Sequence, residues 1–278
     1  MISEIQLNIL FDKLDINKND WILLRISDNF FIQNKIKITY FYELLKKRIS
    51  DNGLIIVLSF SNRNNISRSK GIYSATKTKS YCGLLSNYLI NMEGALRTTH
   101  PTNSVIAVGK EKTLISKFHN YNSFSYDFMK PLIDKNAKML NIDCDPISPG
   151  FTSVHFNEKI LKLYKKSILN GLYRCKVKLD SGAIIKFKRK DFGLCSGSQN
   201  RFYKHYINNN KFNSGKALNS YFTSIKAGDA FEIENKILKN NSNFHTCNDL
   251  NCENCNIYRW DRLYRIPFYF IKKHTQWG

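Results

Sequence analysis

Several features that mark large protein classes are missing from this sequence of 278 residues. It has no run of about 18 apolar residues, the length that a membrane-spanning helix needs, so we do not expect it to cross a bilayer. Its N-terminal segment has neither a basic start nor a small-residue cleavage site, which argues against a secretory signal and favours the cytoplasm. Helix-turn-helix, zinc-finger, RRM and KH signatures are also missing, which makes nucleic-acid binding the weaker interpretation.

Acidic residues are scarce in the chain. It has 22 Asp and Glu against 43 Lys and Arg, which gives a formal net charge of +21. A positive potential of this size speeds the arrival of anions, so nucleic acid, acidic lipid and phosphorylated small molecules are the partner classes to weigh. The basic residues are spread along the whole chain rather than concentrated on one element, which favours a phosphorylated small molecule.

The seven cysteines are an odd number, and with no export signal we expect reduced thiols. His245, Cys247, Cys252 and Cys255 follow the pattern H-x-C-x₄-C-x₂-C, which offers the ligands of a tetrahedral zinc site. A strong zinc signal has two well-separated ligand pairs, whereas these four residues crowd into one short segment. We therefore expect no metal and favour reduced cysteines in a loop over structural zinc.

Apolar periodicity predicts an α/β fold in a single domain over residues 1–278. The composition, 42% hydrophobic and 13% aromatic, is ample for a buried core. Helical spacing alternates with strand-like runs, which predicts a mainly parallel central sheet covered by helices. Helices are expected over 4–15, 38–49, 81–91 and from 152 to about 170, and strands over 20–26, 53–60 and 103–109, with a loop over 61–80.

The C-terminal half reads as an antiparallel or α+β elaboration. Asp180-Ser181-Gly182 separates two strand-like runs and predicts a hairpin over 173–188. Aromatic residues alternate over Trp260–Ile271, which favours a core strand with solvated edges.

Two polar motifs carry a family resemblance. Arg97, Thr98, His100 and Pro101 stand just before the strand predicted at 103–109 and Ser104 lies at its start, where ligands of α/β proteins normally bind. Continued through Ala107 and Gly109, this stretch resembles the R-S/T-x-H-P-x-x-S-x-x-A-x-G signature of the aminoglycoside 3-N-acetyltransferase family. The residues Thr152-Ser153-Val154-His155-Phe156-Asn157-Glu158 match its second motif, T-x-x-H-x-x-E. The resemblance covers residues 1–170 well and the rest loosely.

The resemblance implies direct transfer of an acyl group from a coenzyme A thioester to an amine. His155 is then the general base, and Glu158, one helical turn later, orients its ring. The implied contacts to acyl-CoA come from Ser27, Arg97, Thr98, His100 and Ser104, although the Pro neighbour of His100 favours a structural role for that ring. One departure is Leu24-Arg25-Ile26-Ser27, where the family usually has Val-His-Ser-Ser and only the last Ser is kept.

The acceptor is the least defined part of the prediction. A protein of charge +21 repels polycationic antibiotics and attracts nucleotide-linked amino sugars, which some members of the family acylate with acetyl or 3-hydroxybutanoyl groups for surface polysaccharides. We therefore expect a nucleotide-linked amino sugar, with an aminoglycoside as the alternative and a basic nucleic-acid-binding protein as the alternative from another class. The loosely matching residues 171–278 are expected to supply the acceptor pocket, and the sequence leaves open whether the chain is a homo-oligomer.

Overall fold

A computed structural model of the protein describes residues 2–62, 71–145, 148–163, 174–191, 195–257 and 259–275. Strands in this part of the chain are β1 (Trp21–Ile26), β2 (Leu54–Leu58), β3 (Ile72–Ser74), β4 (Leu96–Arg97), β5 (Val105–Gly109), β6 (Lys138–Ile142), β7 (Arg174–Lys178), β8 (Ile184–Lys188), β9 (Asn213–Ala217) and β10 (Ser220–Lys226).

The helices are interspersed with these strands. They are α1 (Glu4–Lys13), α2 (Asp28–Gln33), α3 (Ile38–Ile49), α4 (Leu84–Ile90), α5 (Lys112–Phe118), α6 (Met129–Asp134), α7 (Ser153–Ile160), α8 (Tyr203–Asn208), α9 (Ala227–Asn240) and α10 (Arg265–Thr275). Shorter 3₁₀ turns lie at Gln199–Phe202 and Trp260–Arg262, and a π-helical turn lies at Glu253–Ile257.

A seven-stranded sheet with the order β4-β5-β2-β1-β6-β10-β9 forms the centre of the molecule. The three middle strands β2, β1 and β6 are parallel, and the strands outside them are antiparallel to their neighbours. The middle strands therefore end at the same edge of the sheet, and the loops that follow them meet there. A second sheet has the order β3-β7-β8.

Both faces of β1 are buried, which explains its nearly continuous apolar sequence. Ile22 and Leu24 point to a core that includes residues of α1, α3 and α4, whereas Leu23 points to the core formed with α6, α7 and α9. Helix α3 buries residues at helical spacing against the first core, among them Phe41, Leu45 and Ile49. The helices thus cover the sheet on both faces, which confirms the expected α/β class.

Most predicted elements of the first half are confirmed, with several differences. Strand β3 lies within the stretch expected to be a loop, β6 was not predicted, and β5 and β4 pair antiparallel. The helix expected from residue 152 to about 170 ends at Ile160, and residues 164–170 of that prediction lie outside the described part.

In the second half the hairpin of β7 and β8 is confirmed, whereas the strand predicted over Trp260–Ile271 is wrong. That segment contains a 3₁₀ turn and most of α10. Its alternating aromatic residues therefore belong to a helix and not to a strand. None of the helices among the described residues has the length and apolarity needed to cross a bilayer.

Candidate active site

A cleft of about 920 Å³ opens at the carboxyl ends of β1, β2 and β6. This is the edge of a parallel sheet at which α/β proteins normally bind ligands. The sheet contributes Leu24, Arg25, Ile26, Val57 and Leu58 to its wall. Later parts of the chain complete the wall with Tyr126, Thr152, His155, Arg189, Cys195, Ser196, Gln199 and Asn254. The second half of the chain therefore supplies a substantial share of the cleft.

His155 lies in this wall with its ring held on two sides. Because α7 places residues i and i+3 on one face, the His155 Nδ1 atom lies 3.1 Å from Oε2 of Glu158, which is itself buried. The ring also stacks on Tyr126, with centroids 4.5 Å apart. We assign the Nδ1–H tautomer from this hydrogen bond, which leaves the lone pair on Nε2.

Gln199 faces the other nitrogen of the same imidazole. Its Nε2 atom lies 3.0 Å from Nε2 of His155 and can donate to the lone pair. The Gln199 side chain also fills the space beside Gly150, where an added Cβ would lie 2.1 Å from the Gln199 Cβ. Gly150 has a φ of +85° and accepts hydrogen bonds on its carbonyl from Arg25 (2.8 Å) and Asn141 (2.9 Å). A glycine is therefore required at the turn before α7.

Charged groups of both signs line the cleft. Arg25, at the position where the family usually has His, donates to the carbonyls of Gly150 and Ser148, and Arg189 donates to Asn103 at 3.2 Å. The carboxylates are Asp28 and Asp143. Neither of these carboxylates forms an ion pair with any residue that the structure describes, so both keep their negative charge available to a cationic ligand.

Ser27 is the one predicted acyl-CoA contact that lies in the cleft wall. It is the N-cap of α2, and its Oγ accepts from the Asn29 amide at 3.2 Å. The hydroxyl keeps its own proton for a ligand, since this bond uses only an acceptor lone pair.

Arg97 and Ser104 do not line the cleft. The buried Arg97 guanidinium donates to the carbonyls of Ser59 (2.6 Å), Ala75 (3.2 Å) and Thr78 and to the hydroxyl of Ser61, and its Nε donates to Ser104 Oγ at 3.1 Å. Ser104 in turn donates to the Ser59 carbonyl. Because these donors are used inside the protein, the expected contact of both residues with acyl-CoA is not what the structure shows.

Thr98 and His100 are also turned inwards. Thr98 Oγ1 lies 3.0 Å from Nδ1 of the buried His119, and the His100 Nδ1 accepts from the Asn103 amide at 3.1 Å. The two imidazoles stack with centroids 4.9 Å apart, and burial lowers the pKa of both. The motif that carries the resemblance therefore builds the support of the cleft, as the Pro neighbour of His100 suggested for that ring.

Sequence reasoning missed several residues of the wall. Tyr126 and Gln199 stand in no recognisable motif, since their positions depend on how distant segments pack, and Asn103 occupies an unspecified position of the first motif. Arg189 belongs to the basic cluster Lys186–Lys190. The density of basic residues there was the one available signal.

Comparison with known families agrees with this geometry. The sequence profile of the aminoglycoside 3-N-acetyltransferase family matches residues 38–239, which is most of the chain. The chain belongs to this family. It is therefore a CoA-dependent N-acyltransferase, with an acyl-CoA as its co-substrate. No curated protein sequence matches it.

Solved structures share the fold at low sequence identity. The apoenzyme of the aminoglycoside acetyltransferase AAC(3)-IVa has a TM-score of 0.71 and 14% identity, over 91% of this chain and 95% of that one. AAC-IIIb in its binary complex with CoASH has a TM-score of 0.68 and 13% identity, over 86% and 97%. The YokD protein from Bacillus subtilis has a TM-score of 0.69 and 15% identity, over 86% and 94%.

Proposed function

We propose that this acyltransferase moves an acetyl group from acetyl-CoA to an amino group of an aminoglycoside, with His155 as the general base. The observation that carries the proposal is the placement of His155 in the cleft wall, with Nδ1 bonded to Glu158 and the lone pair on Nε2. A base needs that lone pair, and a carboxylate on the opposite nitrogen stabilises the imidazolium that forms.

In this proposal the acyl group is transferred directly from the thioester to the amine. The amine nitrogen attacks the thioester carbonyl, the C–N bond forms, and the C–S bond breaks to release the coenzyme A thiolate. The proton that leaves the nitrogen goes to Nε2 of His155 and can be passed to the departing sulfur. Gln199 must give up its contact with Nε2, or turn its carbonyl oxygen towards the new N–H, when the proton arrives.

The acceptor follows from the signs of charge inside the cleft. Asp28 and Asp143 are suited to ammonium groups of a cationic sugar, and AAC(3)-IVa, a structural relative, has been solved as a mutant with gentamicin. The net charge of +21 with Arg25 and Arg189 in the cleft instead favours the second candidate, a nucleotide-linked amino sugar for surface polysaccharide synthesis. In both cases residues of the segment 171–278, among them Arg189 and Gln199, form part of the acceptor pocket. Free thiols favour the cytoplasm as the compartment.

Steady-state kinetics with a thiol-release readout separate the two acceptors. We expect release of coenzyme A thiol from acetyl-CoA with gentamicin or sisomicin, at a kcat/KM well above that with a dTDP-linked amino sugar. The reverse order would make the nucleotide sugar the substrate. Thiol release with neither class of amine would contradict both.

The same assay tests the base. His155→Ala removes the proton acceptor and should lower kcat by about 10²–10⁴-fold with the fold intact. His205→Ala is the matched control, because His205 lies on α8 outside the cleft lining. An unchanged kcat in His155→Ala, with far-ultraviolet circular dichroism like that of the parent, would contradict the assigned role.

A further inference from the structure

Four cysteines from two distant segments of the chain lie together beside the cleft. Cys195 precedes the turn Gln199–Phe202, whereas Cys247, Cys252 and Cys255 come from the segment between α9 and α10. Their Sγ atoms all lie within 4.8 Å of one another. All four are free thiols, and Cys255 is fully buried. Cys195, absent from the pattern seen in the sequence, takes the place there given to His245, which lies outside the cluster.

The spacing of the sulfurs fits one tetrahedral ion. Zinc–sulfur bonds of about 2.3 Å in a tetrahedron place the sulfurs roughly 3.8 Å apart. The Sγ atoms of Cys195 and Cys255 are 3.4 Å apart, close to that value. Cys252 and Cys255 have the C-x₂-C spacing common in structural zinc sites, and Cys195 and Cys247 complete a set of four thiolates without an open position.

The surroundings of the cluster suit a zinc tetrathiolate. The Cys255 amide donates to Sγ of Cys252 at 3.4 Å, a bond that stabilises thiolate charge. Such a site carries a formal charge of −2. Two guanidinium groups lie against its backbone. Arg201 donates to the carbonyl of Thr246, the residue before Cys247, and Arg259, which is paired with Asp261, donates to the Cys255 carbonyl.

We propose that Cys195, Cys247, Cys252 and Cys255 bind one structural zinc ion that joins the C-terminal segment to the wall of the cleft. The ion stands outside the chemistry of acyl transfer. It fixes the loop that leads to Gln199, four residues after Cys195, and the turn that carries Asn254, which also lines the cleft.

Metal analysis of the full-length protein tests this proposal independently of any acyl transfer. Protein purified without chelator from zinc-supplemented cells should contain about one zinc per chain by plasma mass spectrometry. Cys252→Ser should lose most of it. Cys175→Ser is the matched control and should keep it, because Cys175 lies on β7 away from the cluster.

Two measurements on the unmutated protein keep the test decisive if Cys252→Ser fails to fold. A mercurial titration should release the zinc as four thiols react, and Co²⁺ added to the metal-free protein should give the strong visible absorption of a tetrahedral thiolate site. Protein without zinc whose thiols react equally with and without chelator would overturn the proposal. A disulfide between any two of the four cysteines in freshly purified protein would overturn it as well.

Discussion

At the scale of single residues, Arg97 shows how a buried charge can serve the fold. Its guanidinium is surrounded by the carbonyls of Ser59, Ala75 and Thr78, and it lies 5.2 Å above the ring of Tyr73. Burial lowers its pKa from the usual value, yet an Arg side chain stays charged in proteins. The side chain therefore joins β2, the segment 75–78 and β4 in one network.

Removal of Arg97 should destabilise the protein without changing its affinity for acyl-CoA. Arg97→Met leaves the buried carbonyls of Ala75 and Thr78 without a donor, each at about 1–3 kcal/mol, whereas the Ser59 carbonyl keeps its bond from Ser104. A loss of at least about 2 kcal/mol in the free energy of unfolding is therefore expected by urea denaturation. The KM for acetyl-CoA of the folded variant should stay within about twofold of the parent. A large rise in this KM at unchanged stability would instead restore Arg97 as a ligand of the cofactor.

The relative placement of site residues could be predicted from the sequence where local geometry decides it, whereas their roles were implied by the family resemblance. His155 and Glu158 follow from i,i+3 spacing on a helix, and both are found where that spacing places them. The sequence places Arg97, Thr98 and Ser104 correctly beside a strand. It does not show that their side chains point into the protein rather than into the cleft, because a sequence pattern does not define the direction in which a side chain at the end of a strand packs. Gln199 needs the packing of two distant segments and left no signal.

At the scale of elements, α7 is held in place by a buried carboxyl group on α9. Glu234 accepts from Ser153 at 2.7 Å, from Asn157 at 2.9 Å and from Tyr206. Burial raises its pKa to about 8, against a usual 4.5, and the three hydrogen bonds only partly oppose that shift. The folded protein thus holds a proton that the unfolded chain releases near pH 4.5, beside the helix that carries His155.

This linkage predicts a stability that falls as the pH rises. Between about pH 4.5 and 8 the folded state binds one more proton than the unfolded state at Glu234, so the free energy of unfolding decreases by up to about 1.4 kcal/mol per pH unit. His100, His119 and His245 have lowered pKa values, so their opposite effect is confined to pH below about 6.5.

Urea denaturation at pH values from about 7 to 8 isolates the Glu234 contribution. The parent protein should lose stability over this range, and Glu234→Gln, which cannot ionise, should show a flatter profile. Parallel profiles for the two proteins would show that Glu234 is ionised in the fold.

Elements with strong periodicity were the predictable part of the fold. The apolar pattern indicates the correct type of secondary structure in β1, β2, β5 and α3. β6 has the sequence Lys138-Met139-Leu140-Asn141-Ile142, in which Lys138 and Asn141 leave too short an apolar run to indicate a strand. Segment 260–271 failed because its alternation of aromatic residues fits a strand and a half-exposed helix equally well, with Phe268 71% exposed on α10.

At the scale of the whole molecule, the net charge and the carboxylates of the cleft favour ligands of opposite charge. The surplus of 21 positive charges draws polyanions such as coenzyme A, while Asp28 and Asp143 place two carboxylates in the wall of the cleft. Composition gives the net charge but not the presence of two carboxylates in the cleft, since the position of a few carboxylates is a property of the fold. The expected preference for a nucleotide sugar rested on the net charge alone.

Salt should therefore act in opposite directions on the two substrates. Raising the ionic strength from about 0.01 M to about 0.15 M shortens the screening length from about 30 Å to about 8 Å. The KM for acetyl-CoA should rise, because the long-range attraction is lost, whereas the KM for an aminoglycoside should fall as repulsion by the whole protein is screened. Initial rates at matched pH measure both KM values. A comparison of potassium chloride with potassium acetate excludes an effect that is specific to one anion. A KM for the antibiotic that rises with salt would contradict this account.

Gly150 sets a limit on how this enzyme can diversify. Its missing side chain is the space that Gln199 occupies, and its φ of +85° excludes most other residues. Gly182, in the hairpin, has nearly the same φ of +84° but no atom within 4 Å of an added Cβ, so it is open to Asn or Asp. Selection for new acceptors is thus free to vary the rim and the hairpin, while the corner at residue 150 admits no substitution that keeps the glutamine beside the imidazole.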